Sequence, residues 1–234
     1  MKGFTVAIDG PAGSGKSTIA KVLAKKYGFT YLDTGAMYRM MALYAIEKRL
    51  DWNKPGDLAR LLGETTLDIR KENFFLNGED VTRSIRTPEV TEKSSPVSTV
   101  REVREKLVEQ QRRIGRGKEI ILDGRDIGTV VFPEAQVKIF LVASPEERAA
   151  RRFKEYREKN IACTYEEVLE DIRNRDRIDS TRKESPLRKA VDAVEIDTSH
   201  MTIEEAAGAI SALIDSRLRD YTSSENIGGG HEIL

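Results

Sequence analysis

The sequence predicts an α/β protein with a central parallel sheet of about five strands wrapped by helices. An apolar run with strand composition, Gly3–Ile8, leads into a glycine-rich loop, and an amphipathic helix begins near Lys16. Further apolar strand patterns alternate with helical patterns along the rest of the chain. The 234 residues suit one large domain, or a core domain with a smaller insertion.

The first elements form a βαβ unit. From Lys16 the apolar residues recur at helical spacing as far as Tyr27, and Gly28 supplies a C-cap. A short strand, Phe29–Leu32, follows, and then a second helix that runs through Met37 to Ile46. A strand, helix, strand order requires a parallel sheet with a right-handed crossover.

The middle of the chain has a different residue pattern, typical of short antiparallel strands. It predicts three short strands, at Leu67–Ile69, Asn73–Leu76 and Glu79–Val81. Asn77-Gly78 is a strong two-residue hairpin pattern. We therefore expect a β-rich insertion over residues 63–97, continuing through short helical pieces to about Val97, between core segments 1–62 and 98–221.

The parallel pattern resumes after the insertion. It predicts a helix over Val100–Ile114 and buried strands at Glu119–Leu122, Val137–Val142 and Ala193–Ile196. Capping boxes predict helix starts at Ser144, Thr164 and Thr202, each with glutamate three residues later. The tail Thr222–Leu234 is glycine-rich and is expected to be flexible.

Composition excludes several classes. Lys plus Arg and Asp plus Glu both number 39, so no net charge attracts nucleic acid or a membrane. No stretch approaches the roughly 20 apolar residues of a membrane span. Cys163 is the only cysteine and there are two histidines, which disfavours disulfides and zinc and favours a cytoplasmic location. No exposed apolar seam is evident, so we expect a monomer.

The loop after the first strand carries the clearest chemistry. Gly10–Ser17 matches G-x-x-x-x-G-K-[ST] at every fixed position, between a buried strand and an amphipathic helix. Glycines let successive backbone N–H groups face a β-phosphate, and the helix adds its positive N-terminal end. The predicted ATP-binding residues are Gly10, Pro11, Ala12, Gly13, Ser14, Gly15, Lys16, Ser17 and Thr18. Lys16 is expected to bridge the β- and γ-phosphates, and Ser17 to ligate Mg²⁺.

The rest of the chain favours a kinase among proteins with this loop. No N-K-x-D segment is present for reading guanine, and Asp123, at the end of an apolar strand, is a candidate second Mg²⁺ ligand. Polar groups recur on helix faces at Thr34, Tyr38 and Arg39, at Arg148, Arg151 and Arg152, and at Arg175, Asp179 and Arg182. Transfer between two phosphates needs several guanidinium groups and no general base. Surface pairs such as Glu147–Arg151 and Asp171–Arg175 are the alternative interpretation of the arginines.

Several segments together resemble bacterial cytidylate kinases. They are IDGPAGSGKST, YLDTGAMYR, IRTPEV, ILDGRDIGTVVFPEA with VKIFL, and RNRDRIDSTR. The resemblance runs from about Gly3 to Ile214. It implies a P-loop kinase fold with a helical lid at about residues 148–160 and a small insertion on the acceptor side. It also implies transfer of the γ-phosphoryl group of ATP to CMP or dCMP, giving ADP with CDP or dCDP.

The resemblance also implies roles for residues on the acceptor side. Ser95, Arg104 and Asp126 would read the cytosine ring. Arg39, Arg125 and Arg182 would hold the CMP phosphate, with Tyr38, Arg175 and Asp179 beside the sugar. Thr34 stands where the family more often has serine. Arg148, Arg151 and Arg152 would lie on the lid, Arg86 would swing towards the acceptor, and the catalytic roles fall to Lys16, Arg125, Arg152 and Arg182.

Two other functions remain open on the sequence alone. One is a P-loop kinase for UMP or for a hydroxyl-bearing metabolite, in which Asp33 or Asp126 would have to act as a base. The other is a nucleotide-dependent module that binds RNA through its basic helices. The balanced net charge argues against the second.

Overall fold

The computed structural model describes residues 3–228, with side chains described as far as residue 221 and at residue 223. The strands are β1 Thr5–Asp9, β2 Thr30–Asp33, β3 Leu67–Arg70, β4 Asn73–Leu76, β5 Glu79–Asp80, β6 Ile120–Gly124, β7 Val137–Val142 and β8 Val194–Asp197. The helices are α1 Lys16–Tyr27, α2 Thr34–Glu47, α3 Pro55–Gly63, α4 Pro88–Val97, α5 Arg101–Gly115, α6 Pro145–Glu158, α7 Tyr165–Thr181 and α8 Ile203–Gly228. A 3-10 turn, Ser84–Arg86, and a π-helical turn, Ile127–Val131, complete the elements described.

A five-stranded sheet forms the centre, in the order β2-β6-β1-β7-β8, and every pairing in it is parallel. This confirms the predicted α/β class. Asp9 lies opposite Gly124, and Asp33 lies opposite Asp123. The carboxyl ends of β1, β2 and β6 therefore meet at one edge, which is where ligands bind in open α/β sheets.

Alternation along β1 explains why helices cover both faces of the sheet. Val6 and Ile8 pack with Leu23 and other side chains of α1 and α8, whereas Ala7 faces the opposite cluster, which contains Met37. All five residues of β1 are buried, as expected for a central parallel strand. Gly28 adopts a left-handed φ of 71° and ends α1, as predicted.

Residues 63–97, predicted as an insertion, contain a separate antiparallel sheet, β3-β4-β5. Asn77 and Gly78 both have positive φ, 52° and 88°, which is the type I′ geometry predicted for this hairpin. The insertion does not have a core of its own. Phe74 and Ile85 belong to the same buried cluster as Met41 of α2, so insertion and core share one apolar interior.

The structure differs from the sequence-based expectations in three places. Helix α3 was not expected; it begins at Pro55, a residue that favours the first helical turn. Reciprocal capping boxes form at Thr164 and Thr202, but the backbone N–H of Ser144 donates instead to Ser199 Oγ, at 3.2 Å. Helix α8 continues to Gly228, past the expected tail start at Thr222, and residues 229–234 lie outside the described residues.

Candidate active site

A cleft of about 610 Å³ opens at the carboxyl edge of the sheet. Nearly every predicted site residue lines it. The exceptions are Gly10, Pro11 and Ser14, which lie in the loop after β1 without reaching the cleft surface, and Arg148 of α6, which is buried. One site therefore brings together residues that are more than 160 positions apart in the sequence, from Ala12 to Arg182.

The glycine-rich loop lies at one end of the cleft and joins β1 to α1. Gly10 has φ of 148°, and a Cβ there would lie 2.1 Å from the carbonyl oxygen of Leu141, so only glycine fits. The ammonium of Lys16 donates to the carbonyl of Pro11 at 2.5 Å and to Ser14 Oγ at 3.3 Å. Burial, together with the nearby Arg125 guanidinium, lowers the pKa of Lys16 well below its usual range. An incoming phosphate would offset both effects.

Ser17 and Asp123 meet beside this loop. The Ser17 hydroxyl donates to Asp123 Oδ2 at 2.7 Å, and the Tyr31 hydroxyl donates to Asp123 Oδ1 at 2.7 Å. Burial raises the pKa of Asp123, and the Asp33 carboxylate adds to the effect. Hydroxyl and carboxylate oxygens are the ligands that Mg²⁺ prefers, so the donor set fits this ion. Among the side chains that the structure describes, there is no cluster of three or more His, Cys, Asp or Glu suited to a metal. Mg²⁺ bound by one or two protein oxygens usually takes its remaining ligands from substrate phosphates and water.

Asp33 organises the start of α2. Its carboxylate accepts from the backbone N–H of Ala36 at 2.8 Å and from Arg39 at 2.8 Å, with Arg86 of the insertion 3.7 Å away. Burial acts to raise the pKa of Asp33, but Arg39, the backbone N–H of Ala36 and Arg86 together outweigh it and hold the pKa below its usual range. Thr34 donates its hydroxyl proton to the carbonyl oxygen of Asp123 at 2.7 Å. The three residues predicted from this helix face, Thr34, Tyr38 and Arg39, all reach the cleft.

A buried network of arginines and aspartates forms the other end of the cleft. Arg104 donates to Asp126 Oδ2, and Arg182 lies 3.6 Å from Asp126 Oδ1. Ser98 joins the two arginines, since its carbonyl accepts from Arg104 at 3.3 Å and its hydroxyl accepts from Arg182 at 3.2 Å. Arg104 also lies over the ring of Tyr38, 5.6 Å from the centroid. Both members of the Arg104–Asp126 pair are buried, at 3% and 4% exposure.

A second set of contacts connects this network to α7. Arg125 Nε donates to Asp179 Oδ2 at 2.7 Å, and Arg175 Nε donates to Ser95 Oγ at 3.3 Å. Burial lowers the pKa of Arg175 to about 10, with help from Arg152 and Arg125. So dense a set of cations favours an anionic ligand strongly.

The structure separates the three arginines that the sequence places on one face of α6. Arg148 is buried away from the cleft and makes a bidentate pair with Asp176, at 3.0 and 2.6 Å. It also donates to the carbonyl oxygen of Ala12 in the glycine-rich loop at 3.1 Å. Arg148 was expected on a lid over the phosphates together with Arg151 and Arg152, but its guanidinium does not face the cleft and instead ties α6 and α7 to the loop.

Arg151 and Arg152 do line the cleft. Arg151 donates to the carbonyl oxygen of Thr198, and Arg152 Nε donates to the Tyr156 hydroxyl at 3.0 Å. Neither surface pair considered from the sequence forms, since Arg151 and Arg175 bind Thr198 and Ser95 and not Glu147 and Asp171.

Sequence reasoning missed Asp9, Ser98 and Tyr31. Asp9 lies between the predicted strand Gly3–Ile8 and the glycine-rich loop, and its carboxylate accepts two backbone hydrogen bonds from the segment after Asp126. A charged residue closing an otherwise apolar strand is the pattern that could have identified it. Ser98 stands three positions after Ser95, one helical turn further on, which is the comparable pattern there.

The family model and the most similar curated proteins that match this chain all carry the same description. The model of the family described as cytidylate kinase matches residues 6–216. The chain is 53% identical over 215 residues to a cytidylate kinase of Fusobacterium nucleatum, a match covering 92% of this chain and 99% of that protein. It is 47% identical over 215 residues to a cytidylate kinase of Clostridioides difficile, covering 92% and 100%.

One solved structure shows a similar fold at low sequence identity. An uncharacterised protein from Eubacterium ventriosum superposes with a TM-score of 0.52 at 13% identity, covering 92% of this chain and 99% of that one.

Proposed function

The chain belongs to the cytidylate kinase family, and we propose that it transfers the γ-phosphoryl group of ATP to CMP or dCMP, giving ADP with CDP or dCDP. One observation of the structure supports this most. A single cleft carries the phosphate-binding loop at one end and the buried Arg104–Asp126 pair, ringed by further arginines, at the other. Donor and acceptor would thus meet at the carboxyl edge of the sheet.

At the donor end, the loop residues Gly10–Ser17 would hold the β-phosphate through backbone N–H groups and the N-terminus of α1. The Lys16 ammonium would leave the Pro11 carbonyl and bind the β- and γ-phosphates, and the Arg152 guanidinium would neutralise part of the negative charge on the γ-phosphate. We propose that Ser17 and Asp123 hold Mg²⁺, Asp123 directly or through water. When bound, this ion supplies neutralisation of the phosphate oxygens.

At the acceptor end, Asp126 would accept from the cytosine amino group, and Arg104 and Ser95 would bind the O2 and N3 edge. Uracil presents the opposite pattern of donors and acceptors at its N3 and O4 positions, so the same groups would disfavour UMP. Tyr38, Arg175 and Asp179 would border the sugar, and Thr34 would help to close this wall of the cleft.

Arg39, Arg125 and Arg182 would hold the phosphate of CMP, with Arg86 reaching in from the insertion. An acceptor phosphate with a second pKa near 6 is already a nucleophile at neutral pH. The residues therefore need to align the two phosphates and neutralise charge, which Lys16, Arg125, Arg152 and Arg182 would do. Closure of α6 over the phosphates would exclude water and suppress hydrolysis of ATP.

The contacts of the two candidate bases argue against a hydroxyl acceptor. Asp33 is paired with Arg39 and caps α2, and Asp126 is paired with Arg104. Both carboxylates already accept hydrogen bonds from arginine, so neither is free to take a proton from a hydroxyl acceptor. No helix in the described part of the chain has both the length and the apolar character needed to cross a membrane. We infer a monomer that acts on free nucleotides in the cytoplasm.

The test is ADP release from Mg·ATP at fixed enzyme concentration with CMP, dCMP, UMP, AMP, GMP or no acceptor. We expect turnover with CMP and dCMP far above the other reactions. Equal turnover with every acceptor would overturn the cytosine assignment of Ser95, Arg104 and Asp126. Turnover that is absent with every nucleotide, together with salt-sensitive RNA binding, would instead support the RNA-associated alternative.

A further inference from the structure

Asp9 is a buried carboxylate to which the proposed reaction gives no role. It closes β1, one position before the glycine-rich loop, and is 5% exposed. Oδ1 accepts from the backbone N–H of Ile127 at 2.8 Å, and Oδ2 accepts from the backbone N–H of Gly128 at 2.8 Å. Each carboxylate oxygen thus satisfies one amide, and the two amides directly follow Asp126.

These two amides begin the π-helical turn Ile127–Val131. Within the turn, the carbonyl oxygen of Asp126 accepts from Val130 at 2.9 Å and from Val131 at 3.1 Å. The first N–H groups of any helical turn have no partner inside it, and here Asp9 provides that partner from another strand. Asp9 thereby fixes the backbone that carries Asp126.

The far end of the same turn is held differently. Arg112 of α5 donates to the carbonyl oxygens of Val131 and Val130, at 3.0 and 2.6 Å. These carbonyls lie four and five residues beyond Asp126, and the contact to Val130 is exposed, so water can replace the arginine there. Asp9 has no such substitute, because both of its contacts are buried.

The charged groups near Asp9 come from both ends of the cleft. Asp126 of the turn and Lys16 of the glycine-rich loop are the charged groups that act on it. Lys138 of β7 passes close to Gly128, but its ammonium pairs with Asp192. Asp9 therefore links the segment that would hold ATP to the segment that would read the base.

We propose that Asp9 is a positioning residue for nucleobase selection, which locks the Arg125–Asp126 segment in register with the phosphate-binding loop. The inference rests on the proposed function, since Asp126 matters in this way only if it reads the acceptor base. Asp9 does not line the cleft, so it would not touch either substrate. It acts through the backbone of Ile127 and Gly128, and through them on Asp126.

Asp9→Asn tests the proposal. The amide has the same shape but only one acceptor oxygen, so its NH₂ group faces one backbone N–H and leaves that donor without a partner. We expect the KM for CMP to rise about 10- to 100-fold, the effect of one unsatisfied buried donor passed on to the site. The KM for ATP should change less than about 3-fold, and the ratio of kcat/KM for CMP over UMP should fall at least about 10-fold. If Asp9 had a purely structural role, the substitution would lower kcat/KM equally for CMP and UMP, and the ratio would stay unchanged.

Two further variants keep the test decisive. Arg112→Ala removes the other clamp of the same turn and should preserve the CMP-to-UMP ratio; an equal loss in this control would overturn the proposal. Gly128→Ala retains the Asp9 charge and serves if Asp9→Asn does not fold. Its new Cβ would lie 3.2 Å from the Lys138 side chain and in ordinary contact, 3.4 Å, with Asp9 Oδ2. Lys138 or the turn therefore has to shift by a few tenths of an ångström, and the same ratio should fall by a smaller factor.

The outcomes separate the two levels of inference. A wild-type enzyme without preference for CMP would contradict the proposed function. A wild-type preference for CMP that Asp9→Asn and Gly128→Ala leave intact would contradict the role of Asp9 alone.

Discussion

Arg104 and Asp126 form an ion pair inside the cleft, with both side chains almost fully removed from solvent. Arg104 comes from α5 and Asp126 from the segment after β6, so the pair joins two elements that sequence analysis treats separately. Removing two charges from water costs several kcal/mol for each ion, which a single ion pair rarely repays in stability. A pair of this kind at the surface of a cleft is better explained by what it binds.

Arg104→Lys tests that interpretation. Lysine keeps the charge but loses the planar fork that can bind Asp126 and a nucleobase together. We expect kcat/KM for CMP to fall about 10- to 100-fold, consistent with a loss of roughly 1.5–3 kcal/mol for a charged hydrogen bond. Steady-state kinetics at matched ATP measure this. The control is Arg101→Lys on the same helix, where the exposed pair with Glu105 should leave kcat/KM unchanged; an equal loss there would argue against a specific role for Arg104.

Ser17→Ala tests the proposed metal ligands. The substitution removes the hydroxyl that lies 2.7 Å from Asp123, so we expect the Mg²⁺ concentration for half-maximal rate to rise at least about 10-fold. Ser17→Thr retains the hydroxyl and should stay close to the wild type. Titration of MgCl₂ at constant free ATP is the measurement. Chelation of Mg²⁺ should abolish turnover in all three proteins, and persistent turnover would exclude a role for the ion.

The pH dependence of Asp9 makes stability and activity move in opposite directions. Burial raises the pKa of Asp9 to about 7, with Asp126 adding to the effect and the two backbone N–H groups and Lys16 opposing it. Below its unfolded pKa of about 3.9, the carboxyl is protonated in both states. As the pH rises towards 7 the native state holds a proton that the unfolded state has lost, so the stability contributed by protonated Asp9 disappears across this window.

The asparagine of Asp9→Asn does not titrate. The free energy of unfolding of the variant, measured by thermal unfolding, should therefore increase relative to that of the wild type from pH 5 to pH 7. The gain is at most about 1.4 kcal/mol per pH unit. The kcat/KM for CMP should instead favour the wild type increasingly from pH 6 to pH 8, because only the carboxylate accepts from both amides. Parallel pH profiles for the two proteins would contradict this assignment.

Gly10→Ala should be severely damaging. The left-handed φ and the approach of a Cβ to within 2.1 Å of the Leu141 carbonyl leave no room for a side chain, so the loop or β7 has to shift. We expect a clear fall in the unfolding temperature and loss of nucleotide binding. Gly208→Ala is the matched control, since Gly208 is helical and a Cβ added there would meet nothing within 4 Å. It should stabilise the protein by about 0.5–1 kcal/mol.

The sequence predicted the parts of this molecule that depend on local patterns. The run Gly3–Ile8, the complete Gly10–Ser17 motif and the Asn77-Gly78 turn all depend on neighbouring residues, and the strands and the turn form where the pattern places them. Ser17 and Asp123 were both proposed as metal ligands, and they do lie in contact.

Partner choice was harder to predict, because it depends on how the helices pack. Arg148, Arg151 and Arg152 have the same spacing as a solvated or ligand-facing stripe, yet Arg148 is buried against Asp176. Helical spacing fixes which side chains share a face but not which element that face meets. Asp9 shows the same limit, since its partners Ile127 and Gly128 are backbone groups 118 and 119 positions away.

Because the insertion and α2 share one apolar interior, neither deletion of the insertion nor proteolysis within it should release an independently folded core. Phe74 and Ile85 pack into the same cluster as Met37 and Met41. Deleting residues 63–97 would expose those methionines to water. We therefore expect the shortened chain to aggregate and not to retain a folded ATP-binding domain. Limited proteolysis in the insertion should accordingly yield nicked protein whose fragments stay associated.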